Sequence, residues 1–205
     1  MAEVLAQLYI VLKPLGKCVI MVGNSAYGGV VIPTDALLAK IATGLGFKVE
    51  KLAVARPLTT SSQQRSALGE RKEFLRESLL VLLKDDPGQS NHKLITVDEL
   101  SIEDAERRYN VFAFRNSGLT SYTHKFHRYF GKFIPHVPRW AIRRFLTNKP
   151  PATILDPFCG SGTTLVESSL HGTNSFGIDV DPIARLVSRI KTRPLDTIYN
   201  VWFST

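Results

Sequence analysis

The 205-residue chain is poor in the residues that build special frameworks: it has two cysteines, two methionines and two tryptophans. Cys18 and Cys159 make no disulfide framework, so a reducing, cytoplasmic setting is expected. No run of 18 or more apolar residues exists, and no membrane-spanning helix is expected. The start, Met1-Ala2-Glu3, lacks a positively charged region ahead of an apolar stretch, which argues against a secretory signal. His124, His127 and His136 have no companion cysteines at ligand spacing, and no metal site is expected. The most informative shortage is of acid. Between Arg107 and Lys149 stand ten basic residues and no Asp or Glu.

What is present fits an ordinary globular chain. Hydrophobic residues make up 44% and charged residues 21%, enough for one domain with a real core or two very small ones. The net charge of +8 sits mostly in residues 101–205. The acid-free window also holds ten of the chain's 19 aromatics. A polyanion is the partner that such a window suggests. Any single one of these aromatics or arginines could instead be core or a solvated helix face.

The periodicities describe α/β layers. Leu5, Leu8, Tyr9 and Leu12 predict a short helix over 3–12. Lys17–Gly23 reads as a buried strand of parallel type. Pro33 and Thr34 open a helix whose buried stripe is Leu37, Leu38, Ile41, Ala42 and Leu45, with Gly46 just past its end. Strands follow at 47–54 and 78–83, separated by a polar loop over 57–72. Asp85-Asp-Pro-Gly-Gln-Ser-Asn91 is the best domain boundary. Residues 97–108 could form an exposed helix. Pro138 precedes a helix with Ala141, Ile142, Phe145 and Leu146 on one side. Strands at 152–156 and 175–179 each end in an acid, Asp156 and Asp179. A helix follows each: one with Leu165, Val166 and Leu170, the other with Ile183, Leu186, Val187 and Ile190.

The turn after Asp156 is rich in glycine. Gly160 and Gly162 let backbone approach a ligand closely, and the helix behind them offers free N–H groups. A phosphate-binding P-loop needs Lys after the second glycine, where Thr163 stands. A dinucleotide fingerprint needs a third glycine, and an acid at the strand tip repels pyrophosphate. Two acids suit a cationic nucleoside instead. Asp156 can accept from an ammonium, and Asp179 lies at the distance from the turn where ribose hydroxyls are taken. The plainer alternative is that both acids only cap the following helices.

Asp156-Pro-Phe-Cys-Gly-Ser-Gly-Thr-Thr164 closely resembles the cofactor motif of DNA methyltransferases that modify exocyclic amines. Gly177-Ile-Asp-Val-Asp-Pro182 resembles the motif that follows it. Thr123-His-Lys-Phe-His-Arg-Tyr-Phe-Gly-Lys-Phe-Ile-Pro135 resembles the segment that precedes it in one branch. The resemblance implies a Rossmann-like α/β fold, S-adenosylmethionine as cofactor, DNA as partner, and transfer of methyl to N4 of cytosine or N6 of adenine. It implies that Asp156, Pro157, Phe158, Cys159, Gly160, Ser161, Gly162, Thr163 and Asp179 hold the cofactor, with Lys132, Phe133 and Pro135 near its methionine end. Arg128, Arg139, Arg143 and Arg144 are the expected DNA contacts. Tyr122, Phe126, Tyr129 and Phe130 could stack near an extruded base.

The family's sheet order is 3-2-1-4-5-7-6. Leu12-Lys-Pro-Leu-Gly-Lys-Cys-Val-Ile-Met-Val-Gly-Asn24 resembles strand 5, and the strands at 47–54 and 78–83 resemble the last two. Asn24 and Ser25 would then end strand 5 on the ligand side, as a plain turn or as contacts. The order along this chain is therefore permuted: strands 5–7 in residues 1–84, a linker and basic segment over 85–122, and strands 1 and 2 in 123–205. Strand 4 has no counterpart, and the piece Thr197–Phe203 is the sole candidate for strand 3. The family's catalytic tetrapeptide, Ser, Asp or Asn before Pro-Pro-Tyr, is absent, and Lys149-Pro150-Pro151-Ala152 reads as a helix stop. No catalytic residue is assigned, and a second chain carrying that motif is an expected partner. A non-catalytic subunit that holds cofactor and DNA, or an RNA methyltransferase, are the alternatives.

Overall fold

The computed structural model describes residues 1–27, 30–58, 68, 74–85, 122–127, 133–146 and 152–193. The helix expected over 97–108, most of the loop at 57–72, Pro150-Pro151 and Thr197–Phe203 lie outside these residues. The chain divides into two compact units, Met1–Phe114 and Arg115–Thr205. Each is taken by itself.

The first unit is a helix-covered antiparallel sheet. Helix α1 (Ala2–Val11) leads to strand β1 (Lys17–Gly23). A hairpin of β2 (Ser25–Tyr27) and β3 (Val30–Ile32) precedes helix α2 (Thr34–Gly44). Strands β4 (Phe47–Pro57) and β5 (Arg76–Lys84) complete it. The sheet order is β1-β5-β4, with β5 antiparallel to both neighbours. That is the 5-7-6 portion of the order expected from the sequence. The core lies where Leu5 and the inner face of α2 meet Phe47, Val49, Leu52, Leu80 and Leu82. Burying each such side chain is worth about 1.5–3 kcal/mol. Lys84 closes the end of α1: its Nζ donates to the carbonyls of Tyr9 and Leu12 at 2.7 and 2.8 Å. A cation there also opposes the helix dipole.

Two expectations for this unit need correction. β1 is not a parallel buried strand; it pairs antiparallel with β5 and is half-buried through Val22. Among the described residues it has a strand neighbour on one side only, so solvent reaches it. The inner face of α2 is Asp35, Leu38, Ala39 and Ala42, whereas Leu37 and Ile41 are exposed. The cause is Asp35. Its Oδ2 accepts from Ser78 Oγ at 2.7 Å and Arg76 Nε at 3.2 Å, and its N–H donates to Asn24 Oδ1 at 3.0 Å. With Asp35 fixed inward, helical spacing turns positions 38, 39 and 42 inward with it. Asn24, whose Nδ2 also donates to the Phe74 carbonyl, is thus a buried structural residue.

The second unit carries the glycine turn. A short 3-10 turn (Tyr122–Lys125) and helix α3 (His136–Leu146) precede strand β6 (Thr153–Asp156). Helix α4 (Thr163–Leu170), strand β7 (Asn174–Gly177) and helix α5 (Pro182–Lys191) follow. β6 and β7 pair in parallel, from Thr153 opposite Asn174 to Asp156 opposite Gly177. This is the 1-2 portion of the expected order.

Three differences from the sequence reading appear here. α3 starts two residues before Pro138, which the first helical turn tolerates; its buried residues are Val137, Pro138 and Ile142, while Ala141, Phe145 and Leu146 are half-buried. On α4, Leu170 is exposed and Thr163, Val166 and Glu167 face inward. On α5, Ile183 and Leu186 are about three-fifths exposed, at 60% and 58%, and the inner face is Ala184, Val187, Ser188 and Lys191. Ser188 on that face is what requires glycine at position 162. A Cβ placed on Gly162 would lie 2.7 Å from Ser188 Cβ and 2.9 Å from its Cα.

Candidate cofactor site

The site is built at the carboxyl ends of β6 and β7, where parallel strands present ligand-binding loops. β6 ends at Asp156 and the chain turns through Pro157–Gly162 into α4. Gly160 and Gly162 have positive φ of 49° and 78°. These are conformations that side-chain-bearing residues enter only at a cost. The Cys159 N–H donates to the Ile178 carbonyl at 3.0 Å, and the Gly162 N–H to the Cys159 carbonyl at 2.7 Å. Gly177 is needed as well. A Cβ there would meet Leu165 Cδ1 at 2.6 Å and Cys159 Sγ at 3.0 Å.

The two acids grip this turn from either end. Asp156 Oδ1 accepts from the Phe158 N–H at 3.2 Å. Asp179 lies two residues past the end of β7; its Oδ2 accepts from the Gly160 N–H at 2.8 Å and its Oδ1 from the Asp181 N–H at 2.9 Å. Neither acid is the N-cap of the helix that follows it. Gly162 occupies that position for α4, and Asp181 caps α5 by accepting from the Ile183 N–H. The capping alternative therefore fails for both. The Cys159 thiol reports their shared field: burial, then the charges of Asp156 and Asp179, push its pKa up. Two carboxylates thus concentrate negative charge on one small turn. Asp156 Oδ1 and both oxygens of Asp179 each spend one lone-pair direction on backbone and retain capacity for a ligand donor.

The remaining turn residues divide by exposure. Phe158 is two-thirds exposed beside the turn, Asp156 and Asp179 are half-buried, and Ser161 and Thr163 are buried. Ser161 is held from behind by a residue that sequence reasoning did not single out. Lys191, buried at the end of α5, donates from Nζ to the Ser161 carbonyl at 2.7 Å. Its own carbonyl accepts from Thr123 Oγ1 at 3.1 Å. Among the preceding-segment residues, Pro135 is buried and Phe133 half-buried. Lys132 lies outside the described residues.

Glu167 is the other missed residue. It has no exposed surface, yet it carries a carboxylate. Its Oε1 accepts from Arg139 Nη2 at 2.7 Å and pairs with His124 Nε2 at 2.8 Å; its Oε2 accepts from Arg139 Nε at 2.8 Å. Burial pushes its pKa up, but the hydrogen bonds from His124 and Arg139 and the Arg139 charge outweigh burial and hold it at about 2. One sequence signal existed: Glu167 is the sole acid between Asp156 and Asp179, on the inward stripe shared with Thr163 and Val166.

The basic residues fare differently from one another. The Arg139 fork is occupied by Glu167. Arg143 Nε donates to His171 Nε2 at 3.2 Å, while His171 Nδ1 lies 2.8 Å from the Glu167 carbonyl. Arg144 is exposed, with its guanidinium 5.8 Å from the Phe145 ring centre. Tyr122 and Phe126 are exposed as well. Arg107, Arg108, Arg115, Arg128, Tyr129, Phe130 and Lys149 lie outside the described residues.

A parallel strand pair with an acid-gripped glycine turn, together with a 5-7-6 sheet, defines a Rossmann-like methyltransferase fold. Residues 1–187 match the N6/N4 DNA methylase family, and the chain belongs to that family. The chain is 37% identical over 84 residues to the type II methyltransferase M.MvaI of Kocuria varians, covering 40% of this chain and 18% of that protein. It is 40% identical over 77 residues to M.MjaII of Methanocaldococcus jannaschii, covering 38% and 14%. The chain thus spans less than a fifth of the length of either relative. A DNA modification methylase of Thermus thermophilus complexed with S-adenosyl-L-methionine superposes with a TM-score of 0.60 at 20% identity, over 93% of this chain and 74% of that one. The cytosine-N4-specific PvuII DNA methyltransferase gives 0.56 at 15% identity, over 93% and 70%.

Proposed function

We propose that this chain is the cofactor-holding and DNA-gripping part of an S-adenosylmethionine-dependent methyltransferase acting on the N4 amine of cytosine or the N6 amine of adenine. The observation that carries this reading is the pair of carboxylates, Asp156 and Asp179, bonded to backbone N–H groups of one glycine turn. Such a turn suits a ligand with an ammonium, a sulfonium and no phosphate. When bound, S-adenosylmethionine supplies an electrophilic methyl group. The chain's own residues bind and orient. Asp156 takes the ammonium directly or through water, and Asp179 takes ribose hydroxyls. Pro157, Phe158 and Cys159 wall the site, while Gly160, Ser161, Gly162 and Thr163 give the backbone approach. Lys132, Phe133 and Pro135 lie toward the methionine end. The Thermus relative solved with the same cofactor supports the choice of ligand.

DNA is the proposed substrate, consistent with the family and with the acid-free basic window. Arg128 and Arg144 are the proposed phosphate contacts, with Arg143 and Arg139 engaged within the second unit as well. Residues 1–84, 85–122 and 123–205 serve as strand 5–7 half, linker and cofactor half. The target amine would be received by a Ser/Asp/Asn-Pro-Pro-Tyr motif from a second chain or another part of a longer protein.

The missing tetrapeptide favours one second reading, a subunit that binds cofactor and DNA but performs no chemistry. One assay covers both. The full chain is incubated with tritiated S-adenosylmethionine and duplex DNA, alone and with a protein carrying the tetrapeptide. Cofactor binding by the chain, transfer only in the mixture, and loss of both with Asp179→Ala are the expected outcomes. Transfer by the chain alone contradicts the missing-centre reading. Binding without transfer in every mixture supports the non-catalytic subunit.

A further inference from the structure

Glu167 is a buried charge that the cofactor chemistry does not use. Its place in the fold gives it a second meaning. It lies on α4, the helix that springs directly from the glycine turn, one turn beyond Thr163. Its two donors come from either side of a single stretch of chain. His124, itself fully buried, stands before that stretch, and Arg139 stands after it. Between them lie Phe133 and Pro135, the residues proposed to meet the methionine end of the cofactor. One carboxylate therefore ties both flanks of this stretch to the helix of the glycine turn.

An anchor of this kind is chemically specific. A buried carboxylate is costly, and an apolar side chain of similar volume often serves packing as well or better. The geometry here is the demanding one: a bidentate arginine fork plus an imidazole on one carboxylate. The reward for such a group is a fixed register. Fixing His124 and Arg139 in advance removes ordering entropy that cofactor binding would otherwise have to supply. A second tie runs parallel to it, from Thr123 Oγ1 to the carbonyl of Lys191, whose Nζ holds Ser161.

We infer that Glu167 is a positioning residue for the cofactor: by holding His124 and Arg139 to α4 it fixes the chain on either side of Phe133 and Pro135, so that the methionine end meets these two residues already in place. The inference rests on the proposed reading that this chain binds S-adenosylmethionine with that stretch at its methionine end.

The test separates the two ends of the ligand. Binding of S-adenosylmethionine and of adenosine, which lacks the methionine, is measured by calorimetry and by NMR. The full-length chain is compared with Glu167→Gln and Arg139→Lys. Glu167→Gln keeps the shape and removes the charge; Arg139→Lys keeps the charge and removes the fork at a partly exposed site. Both variants are expected to weaken S-adenosylmethionine by about tenfold, the scale of one charge-assisted hydrogen bond, and to leave adenosine within about twofold. Equal losses for both ligands mean that Glu167 only maintains the fold, and they overturn the inference. So does unchanged affinity for both. If Glu167→Gln fails to fold, Arg139→Lys decides by the same ratio. Failure of the unmodified chain to bind S-adenosylmethionine strikes the functional reading instead.

Discussion

At Gly162 two independent constraints fall on one atom. Its φ is positive, and the position a Cβ would take is already occupied by the backbone and Cβ of Ser188. Gly162→Ala is expected to cost about 1–3 kcal/mol from strained backbone alone, before α5 shifts to relieve the contact. A denaturant melt measures the stability loss, and calorimetry should show cofactor binding lost with it. Cys159 gives a second residue-scale prediction. Its thiol is buried and faces two carboxylates, which keep it protonated. Iodoacetamide at pH 8 should alkylate it at least about tenfold more slowly than a free cysteine, as read by mass spectrometry of the native chain. Fast labelling would mean that the turn is open.

The elements show how a single polar side chain can rotate a whole helix. Periodicity located α2 and α5 correctly and placed Leu38, Ala42 and Val187 in the buried stripe, but the stripe was rotated at its other positions. Hydrophobicity alone favoured Leu37, Ile41, Ile183 and Leu186, all of which are exposed. On α2 the Asp35–Arg76 ion pair sets the rotation, and on α5 the close contact of Ser188 with Gly162 turns Ser188 inward. Neither constraint is written in local sequence, because each partner is distant along the chain. Glu167 makes the same point for α4 and brings a pH dependence. Its pKa is lowered in the folded state, from 4.5 to about 2. Its stabilising contribution is therefore complete above about pH 4.5 and lost as pH falls toward 2; at about 1.4 kcal/mol per unit, it amounts to about 3 kcal/mol. Urea melts of the unmodified chain and Glu167→Gln should differ most above pH 5 and converge toward pH 2. A constant gap would mean that Glu167 is not ionised in the folded chain.

For the whole molecule, the net charge of +8 and the basic window predict a steep salt dependence for the proposed DNA binding. The logarithm of affinity should fall linearly with the logarithm of salt, and Arg144→Ala should flatten the slope by about 0.9. Fluorescence anisotropy on duplex DNA across a salt series reads this directly. A slope unchanged by Arg144→Ala would remove that residue from the phosphate contacts. The chain's own order of residues determined strands β1 and β4–β7 but not the β2–β3 hairpin, together with the permuted arrangement, the glycine turn with its two acids and the lack of the tetrapeptide. These depend on short-range spacing and on chemistry confined to a few neighbouring residues. Tertiary structure decided the rest: the antiparallel placement of β5 between β1 and β4, which faces of the helices turn inward, and the conversion of Arg139 from a surface base into the partner of a buried carboxylate. Those outcomes depend on which groups meet across 28 to 43 residues of chain. Such meetings are settled by packing and by the cost of burying an unpaired charge, not by the pattern of any one segment.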